Sequence, residues 1–335
     1  MVALIAAFVL AAPAKLSGPL PYTGTNLAGG EFFTPKVNER PVYSKNFIYP
    51  TDAQFKYFAD HGMNVFRVCF LWETLQPQAE LPFDTTELRR LSDVVRGATR
   101  QRLTVILDPH NYARYYGKIV GTPEVPDAAF ADFWRRLAME FKAEPRVWFG
   151  LVNEPYGMPA TQWVTSANAA IRAIRSTGAR NKILAPGTAY SGAHSWTANW
   201  YGGSNGAAMD KLKDSGNNFA FEVHQYLDQD SSGTKPSVVS PTIGRERLTD
   251  FVKWCRARRA KAFLGEFAVG DSPEGKVALL NMMRAMEADR DVWLGYTWWA
   301  AGAWWGDYMF SIEPKEGENR LQLEWLKPHL QPRSR

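Results

Sequence analysis

The chain runs to 335 residues, 45% of them hydrophobic and 22% charged, a balance that suits a folded globular protein and excludes disordered or fibrous chains. Two cysteines exclude a disulfide scaffold and a Cys-rich zinc module. The net charge of +5 is mild, and its clearest cluster (Arg256, Arg258, Arg259 and Lys261) reads as cations opposing the dipole at a helix C-terminus, so no nucleic-acid partner is expected.

Residues 1–14 are expected to be a signal-peptide remnant. The run at 2–12 is apolar but too short to span a bilayer, and Ala12-Pro13-Ala14 supplies small residues of the kind found at a cleavage site. It resembles a secretory signal that lacks its positive start. A secreted or periplasmic protein without a membrane anchor is therefore expected. Residues 15–335 contain no Pro-, Gly- or Ser-rich linker and read as a single domain. Short β-rich runs are predicted at Tyr22–Ala28, Asn64–Phe70, Thr104–His110, Val147–Glu154, Lys182–Gly187, Phe219–Leu227, Lys261–Ala268 and Trp293–Ala300. Most are near-continuous apolar runs, as parallel strands covered on both faces should be. Helical spacing falls between them at Asp52–His61, Thr85–Arg100, Asp127–Lys142, Ala160–Thr177, Arg245–Arg259 and Glu274–Ala288, with a weaker fifth linker at Asn205–Asp214 and a closing Leu321–Leu330. Eight strand–helix units predict an α/β fold, the (β/α)8 TIM barrel. An open doubly wound sheet would show a glycine-rich phosphate turn after an early strand. None is present, and Gly270–Lys276 ends in Val277 where a phosphate loop needs Ser or Thr.

Polar residues collect where the predicted strands end. Arg67 interrupts an apolar strand, and Asp108, His110, Asn153, Glu154, Glu222, His224, Tyr226, Glu266, Trp298 and Trp299 sit at or near strand C-termini. In a barrel these ends share one rim. Charge inside an apolar strand is costly unless paired, so the violations point to a common site. Glu154 and Glu266 are the pair for acid–base work. Two carboxylates across a cleft can split a glycosidic bond, by direct attack when they lie about 5–5.5 Å apart or through an activated water at about 6.5–9.5 Å. The bland alternative is that each forms a buried ion pair with an arginine such as Arg67. The 13 Trp, 13 Tyr and 19 Phe residues add flat apolar faces suited to a neutral sugar ring.

The motifs LVNEP at Leu151–Pro155 and LGEFA at Leu264–Ala268 resemble glycoside hydrolase family 5, the cellulase family. FRV at Phe66–Val68, DPHNYARY at Asp108–Tyr115, VHQY at Val223–Tyr226 and WWAAGAWWGDYMF at Trp298–Phe310 extend the resemblance in chain order. It implies a barrel, retention of configuration, no metal or other cofactor, and a place in the endo-β-1,4-glucanase branch. By resemblance, Glu154 matches the acid/base and Glu266 the nucleophile. Arg67 matches the arginine that keeps the nucleophile charged, and Asn153 the amide that contacts the sugar 2-hydroxyl. His110, His224 and Tyr226 match the rim hydrogen-bonding set. Trp299 matches the aromatic floor of the sugar subsite before the cleavage point, with Trp298 the alternative because alternation turns only one of them to the cleft. The expected partner is a β-glucan polymer or oligosaccharide, acted on by a monomer. Alternatives are a β-mannanase, a xyloglucanase or mixed-linkage glucanase, or a carbohydrate-binding protein without chemistry. Trp196 and Trp200 could stack leaving-side sugars or pack a loop. Cys69 is expected to point into the barrel and Cys255 to lie on an outer helix, too far apart for a disulfide.

Overall fold

The structure, a computed structural model, describes residues 18–332; the expected signal remnant lies outside them. Eight parallel strands form a closed barrel: β1 (Tyr22–Gly30), β2 (Val65–Phe70), β3 (Thr104–Pro109), β4 (Val147–Gly150), β5 (Ile183–Pro186), β6 (Phe219–His224), β7 (Ala262–Glu266) and β8 (Trp293–Ala301). Neighbours follow chain order, and β8 closes on β1 with Tyr22 opposite Gly295. Helices α1 (Asp52–Asp60), α2 (Thr85–Arg100), α3 (Asp127–Phe141), α4 (Ala160–Ser176), α5 (Asn205–Ala208), α6 (Ile243–Ala257), α7 (Pro273–Ala288) and α8 (Leu321–Leu326) surround it. Side chains start several of them. Thr51 and Gln54 form a reciprocal capping box on α1, Asp84 accepts from Thr86 and Glu87 on α2, and Ser272 caps α7, each relieving an otherwise orphaned backbone N–H.

The expected strands are all present, but several stop short. The fourth leaves the sheet at Gly150, four residues before Glu154, because the chain turns across the barrel mouth: the Asn153 N–H donates to the Pro109 carbonyl at 3.0 Å, and Glu154 takes a left-handed φ of 40°. The weak fifth linker becomes only α5 and a following 3-10 turn, Met209–Lys211. A small hairpin pairing Arg114–Tyr115 with Lys118–Ile119 had no periodic signal, since two-residue strands are too short for one.

The barrel interior is layered by the two-residue period of the strands. Val65, Ile106, Trp148, Leu184, Ala220 and Phe263 form an apolar floor. Two residues further along, the same strands present Arg67, Asp108, Gly150, Pro186, Glu222 and Gly265. The glycines make room for the charges. A Cβ on Gly265 would lie 2.3 Å from a Glu222 carboxylate oxygen and 2.8 Å from His224 Nε2. A layer later come Cys69, His110 and His224, at the open end.

Candidate active site

Arg67 is fully buried and is the hub. Its Nη1 donates to Glu266 Oε1 at 3.0 Å and Asn26 Oδ1 at 2.9 Å, and its Nη2 donates to Asn153 Oδ1 at 2.7 Å. Nη1 also lies 3.0 Å from Asp108 Oδ2, and Nε 2.9 Å from Glu222 Oε1. Burial opposes its charge, but the three carboxylates push its pKa well above the usual value. Asp108 answers in kind: burial disfavours its anion, yet Arg67 and His110 hold its pKa below the usual value.

Glu266, at the last position of β7, receives two donors, Arg67 on Oε1 and the Tyr226 hydroxyl on Oε2 at 2.8 Å. Burial and then the Glu266 charge raise the Tyr226 pKa well above the usual value, so it remains a donor. Glu154 has no arginine partner. Its Oε1 lies 2.6 Å from His224 Nδ1, and the same nitrogen is 3.5 Å from Glu266 Oε2. One oxygen of each carboxylate and the imidazole nitrogen all fall within 4.8 Å of one another. Burial raises the Glu154 pKa; the hydrogen bond with His224 pulls against it and the Glu266 charge adds to it. For His224, burial opposes the cation, but Glu266, Glu154 and Glu222 push its pKa up to about 10. The pairing expected as the bland alternative thus exists for one carboxylate and not for the other, which leaves the two in unlike surroundings.

The remaining candidates converge on the same mouth. Asn153 Nδ2 is 3.1 Å from His110 Nε2, and His110 Nδ1 is 2.8 Å from Asp108 Oδ2. The indole of Trp299 stacks on the His110 ring with centroids 5.3 Å apart and planes 20° apart. Trp298 is buried, its indole N–H donating to the Phe310 carbonyl at 2.8 Å; of the two tryptophans, Trp299 faces the cleft. Two hollows flank the carboxylates and share Tyr112. One, of about 680 Å³, is lined by Glu31, Phe32, His110, Trp299 and Trp305. The other, of about 460 Å³, is lined by Glu154, Tyr190, His194, Trp200, Tyr201 and Tyr226.

Some expectations move. Trp196 is wholly buried against Trp254 and Phe251, so it packs the loop over the thin fifth crossover, whereas Trp200 is half exposed beside the second hollow. Cys69 and Cys255 are buried and free. His61 and His329 lie away from the mouth, bonded to the Tyr57 carbonyl and to Glu287. Sequence reasoning missed Asn26, whose amide bridges Arg67 and the Gly265 carbonyl; an asparagine amid a buried strand was the available signal. It noted Asp108 and Glu222 at strand ends without assigning them to the Arg67 hub. Cys69, Asp108 and His110 form a second close trio of potential donors, but in both trios the carboxylates already serve Arg67 or a histidine, and a divalent ion would face the buried guanidinium.

A closed parallel barrel whose C-terminal mouth sets two unlike carboxylates beside each other, flanked by aromatic hollows, defines a glycoside hydrolase. The model of the family described as Cellulase (glycosyl hydrolase family 5) matches residues 22–302. The chain belongs to glycosyl hydrolase family 5. It is 37% identical to a probable endo-beta-1,4-glucanase B of Neosartorya fischeri, over 98% of each chain. Among solved structures it is similar to XacCel5A, solved with cellopentaose (49% identity, 92% of this chain and 99% of that one, TM-score 0.90). The endo-beta-1,4-glucanase Xac0029 of Xanthomonas axonopodis pv. citri is 44% identical over 92% and 98%, with a TM-score of 0.89.

Proposed function

We propose that the chain is a retaining endo-β-1,4-glucanase that cuts internal linkages of cellulose or related β-glucans. The observation that carries this is the approach of Glu154 and Glu266 oxygens to within 4.8 Å. That separation suits direct attack and is short of the roughly 6.5–9.5 Å that an inverting enzyme needs for its water. Cellopentaose in the XacCel5A structure and the endoglucanase names of the relatives support the substrate class.

Glu266, charge-paired with Arg67, attacks the anomeric carbon. Glu154, whose burial favours the protonated form, gives its proton to the leaving oxygen. The glycosyl–Glu266 ester no longer carries the charge that raised the Glu154 pKa, so Glu154 then serves as base for water. Asn153 keeps one N–H free of His110 and Arg67, available to the sugar 2-hydroxyl. Tyr226 steadies the nucleophile, and Trp299 supplies an apolar face for the ring before the cleavage point.

The test is reducing-end release from carboxymethyl cellulose, mannan and xylan, together with NMR of the first anomer formed from cellopentaose. The expected result is release from the cellulose derivative with a β-anomer first. An α-anomer first would exclude the double displacement, and binding without release from any polymer would exclude catalysis.

A further inference from the structure

Four side chains close a ring beneath the sugar site. Asp108 Oδ2 contacts His110 Nδ1 at 2.8 Å, His110 Nε2 meets Asn153 Nδ2 at 3.1 Å, Asn153 Oδ1 accepts from Arg67 Nη2 at 2.7 Å, and Arg67 Nη1 returns to Asp108 Oδ2 at 3.0 Å. The proton positions follow from the ends of this ring. A guanidinium only donates, so the atom of Asn153 facing Arg67 must be its oxygen. The amide nitrogen therefore faces His110. That nitrogen also only donates, so His110 Nε2 must be an acceptor, without a proton. Burial opposes a second proton on His110, while Asp108, Glu31 and Glu266 raise its pKa above the usual value. That second proton would have to sit on Nε2 against the amide N–H, so the ring holds a single imidazole proton, on Nδ1, where the only acceptor it offers is Asp108.

We propose that Asp108 is a positioning residue: it holds His110 in the neutral tautomer protonated at Nδ1, and through that ring it fixes the Asn153 amide with its second N–H aimed at the substrate. The proposal rests on the reading of Asn153 as a donor to the sugar. A half-turn of the His110 ring would keep its stacking on Trp299 but would set carbons against Asp108 and Asn153 and lose both hydrogen bonds. The Tyr112 hydroxyl, 3.5 Å from Nε2, can donate to the same acceptor. If the proton moved to Nε2, or if both nitrogens carried one, two N–H groups would oppose each other at 3.1 Å. The amide would turn over, present its oxygen to His110 and point its nitrogen at Arg67. Asp108 touches no substrate; it acts through the orientation of a group that does.

The ring can be read in the unaltered protein. Nitrogen-15 NMR of His110, assigned by its loss in His110→Gln, is expected to show a protonated Nδ1 and a bare Nε2 at about pH 8, above the ordinary imidazole range. A protonated Nε2, alone or together with Nδ1, would overturn the proposal without requiring any variant at Asp108 to fold. In Asp108→Ala the proton is expected to move at least partly to Nε2, with kcat on cellopentaose falling about 100-fold, the scale of a lost transition-state contact, while KM changes less than threefold. Asp108→Asn retains an acceptor for Nδ1–H and is expected to recover about tenfold of that loss. Equal losses in the Ala and Asn variants, or an unchanged imidazole spectrum in Asp108→Ala, would assign Asp108 to charge balance alone. Retention measured on the unaltered enzyme tests the double displacement separately, so the two can fail independently.

Discussion

Replacing Arg67 by Met tests the hub, because Met keeps much of the side-chain volume while removing the cation and, with it, the N–H donors to Asn26 and Asn153. Three buried carboxylates, Asp108, Glu222 and Glu266, would lose a partner now 2.9–3.0 Å away. Breaking a buried ion pair costs about 3–5 kcal/mol. Unfolding entropy of about 2.1 cal/mol/K per residue, over a domain of about 300 residues, converts that to a fall in Tm of about 5–8 °C near neutral pH. The penalty should depend on pH in a definite direction. Burial disfavours the Asp108 anion and Arg67 offsets it, so without the guanidinium the folded-state pKa of Asp108 is expected to rise above its unfolded value of about 4. A group shifted that way stabilises the fold below the unfolded pKa, and the contribution is lost as pH rises through the folded pKa. The gap between the native chain and Arg67→Met is therefore expected to be smallest near pH 4, where the lost bonds to Asn26 and Asn153 still count, and to widen toward pH 8, as read by calorimetry across that range. Equal melting at pH 8, or a gap that narrows as pH rises, would refute the hub as an electrostatic device.

Glu266→Gln is expected to abolish turnover while retaining cello-oligosaccharide binding by calorimetry, and normal turnover would remove it as nucleophile. Glu154→Ala should lose far more activity on cellulose than on aryl glycosides with activated leaving groups, which need little protonation; equal losses would contradict the acid role. Because the Glu266 charge helps to raise the Glu154 pKa, a carbon-13 titration should find Glu154 more acidic in Glu266→Gln, and a rise would reverse the sign of the coupling. Trp299→Ala should weaken oligosaccharide binding by about 1–2 kcal/mol through lost stacking, whereas Trp298→Ala should lower Tm by opening a cavity.

The barrel was legible because a parallel strand buried on both faces has a composition of its own, and Val105–Leu107 or Phe263–Leu264 need no context to be recognised. The rim was legible for the complementary reason that Arg67 or Glu222 in such a strand is too costly to be accidental. Strand ends were less so. Leu151 and Val152 continue the apolar run after β4, and a tertiary bond from Asn153 to Pro109 shows that the chain has turned out of the sheet. Asp108 and Glu222 stood out as charges, but their partner Arg67 lies on another strand, and register between strands is not written in either one. The choice between Trp298 and Trp299 turns on one step of alternation near the end of β8, where sequence carries no local marker. Trp196 followed the loop's packing because the truncated fifth crossover left the space above Trp254 to be filled.

The left-handed backbone at Glu154 has a consequence for anyone wishing to make this enzyme sturdier. Such a conformation is disfavoured by about 1 kcal/mol or more for a residue with a Cβ and is natural for glycine. The acid is thus held at a place where its own main chain would prefer a different amino acid, and thermal-tolerance screens that ignore activity should repeatedly return Gly or Asn at this position. Resilience and catalysis compete here at a single torsion angle.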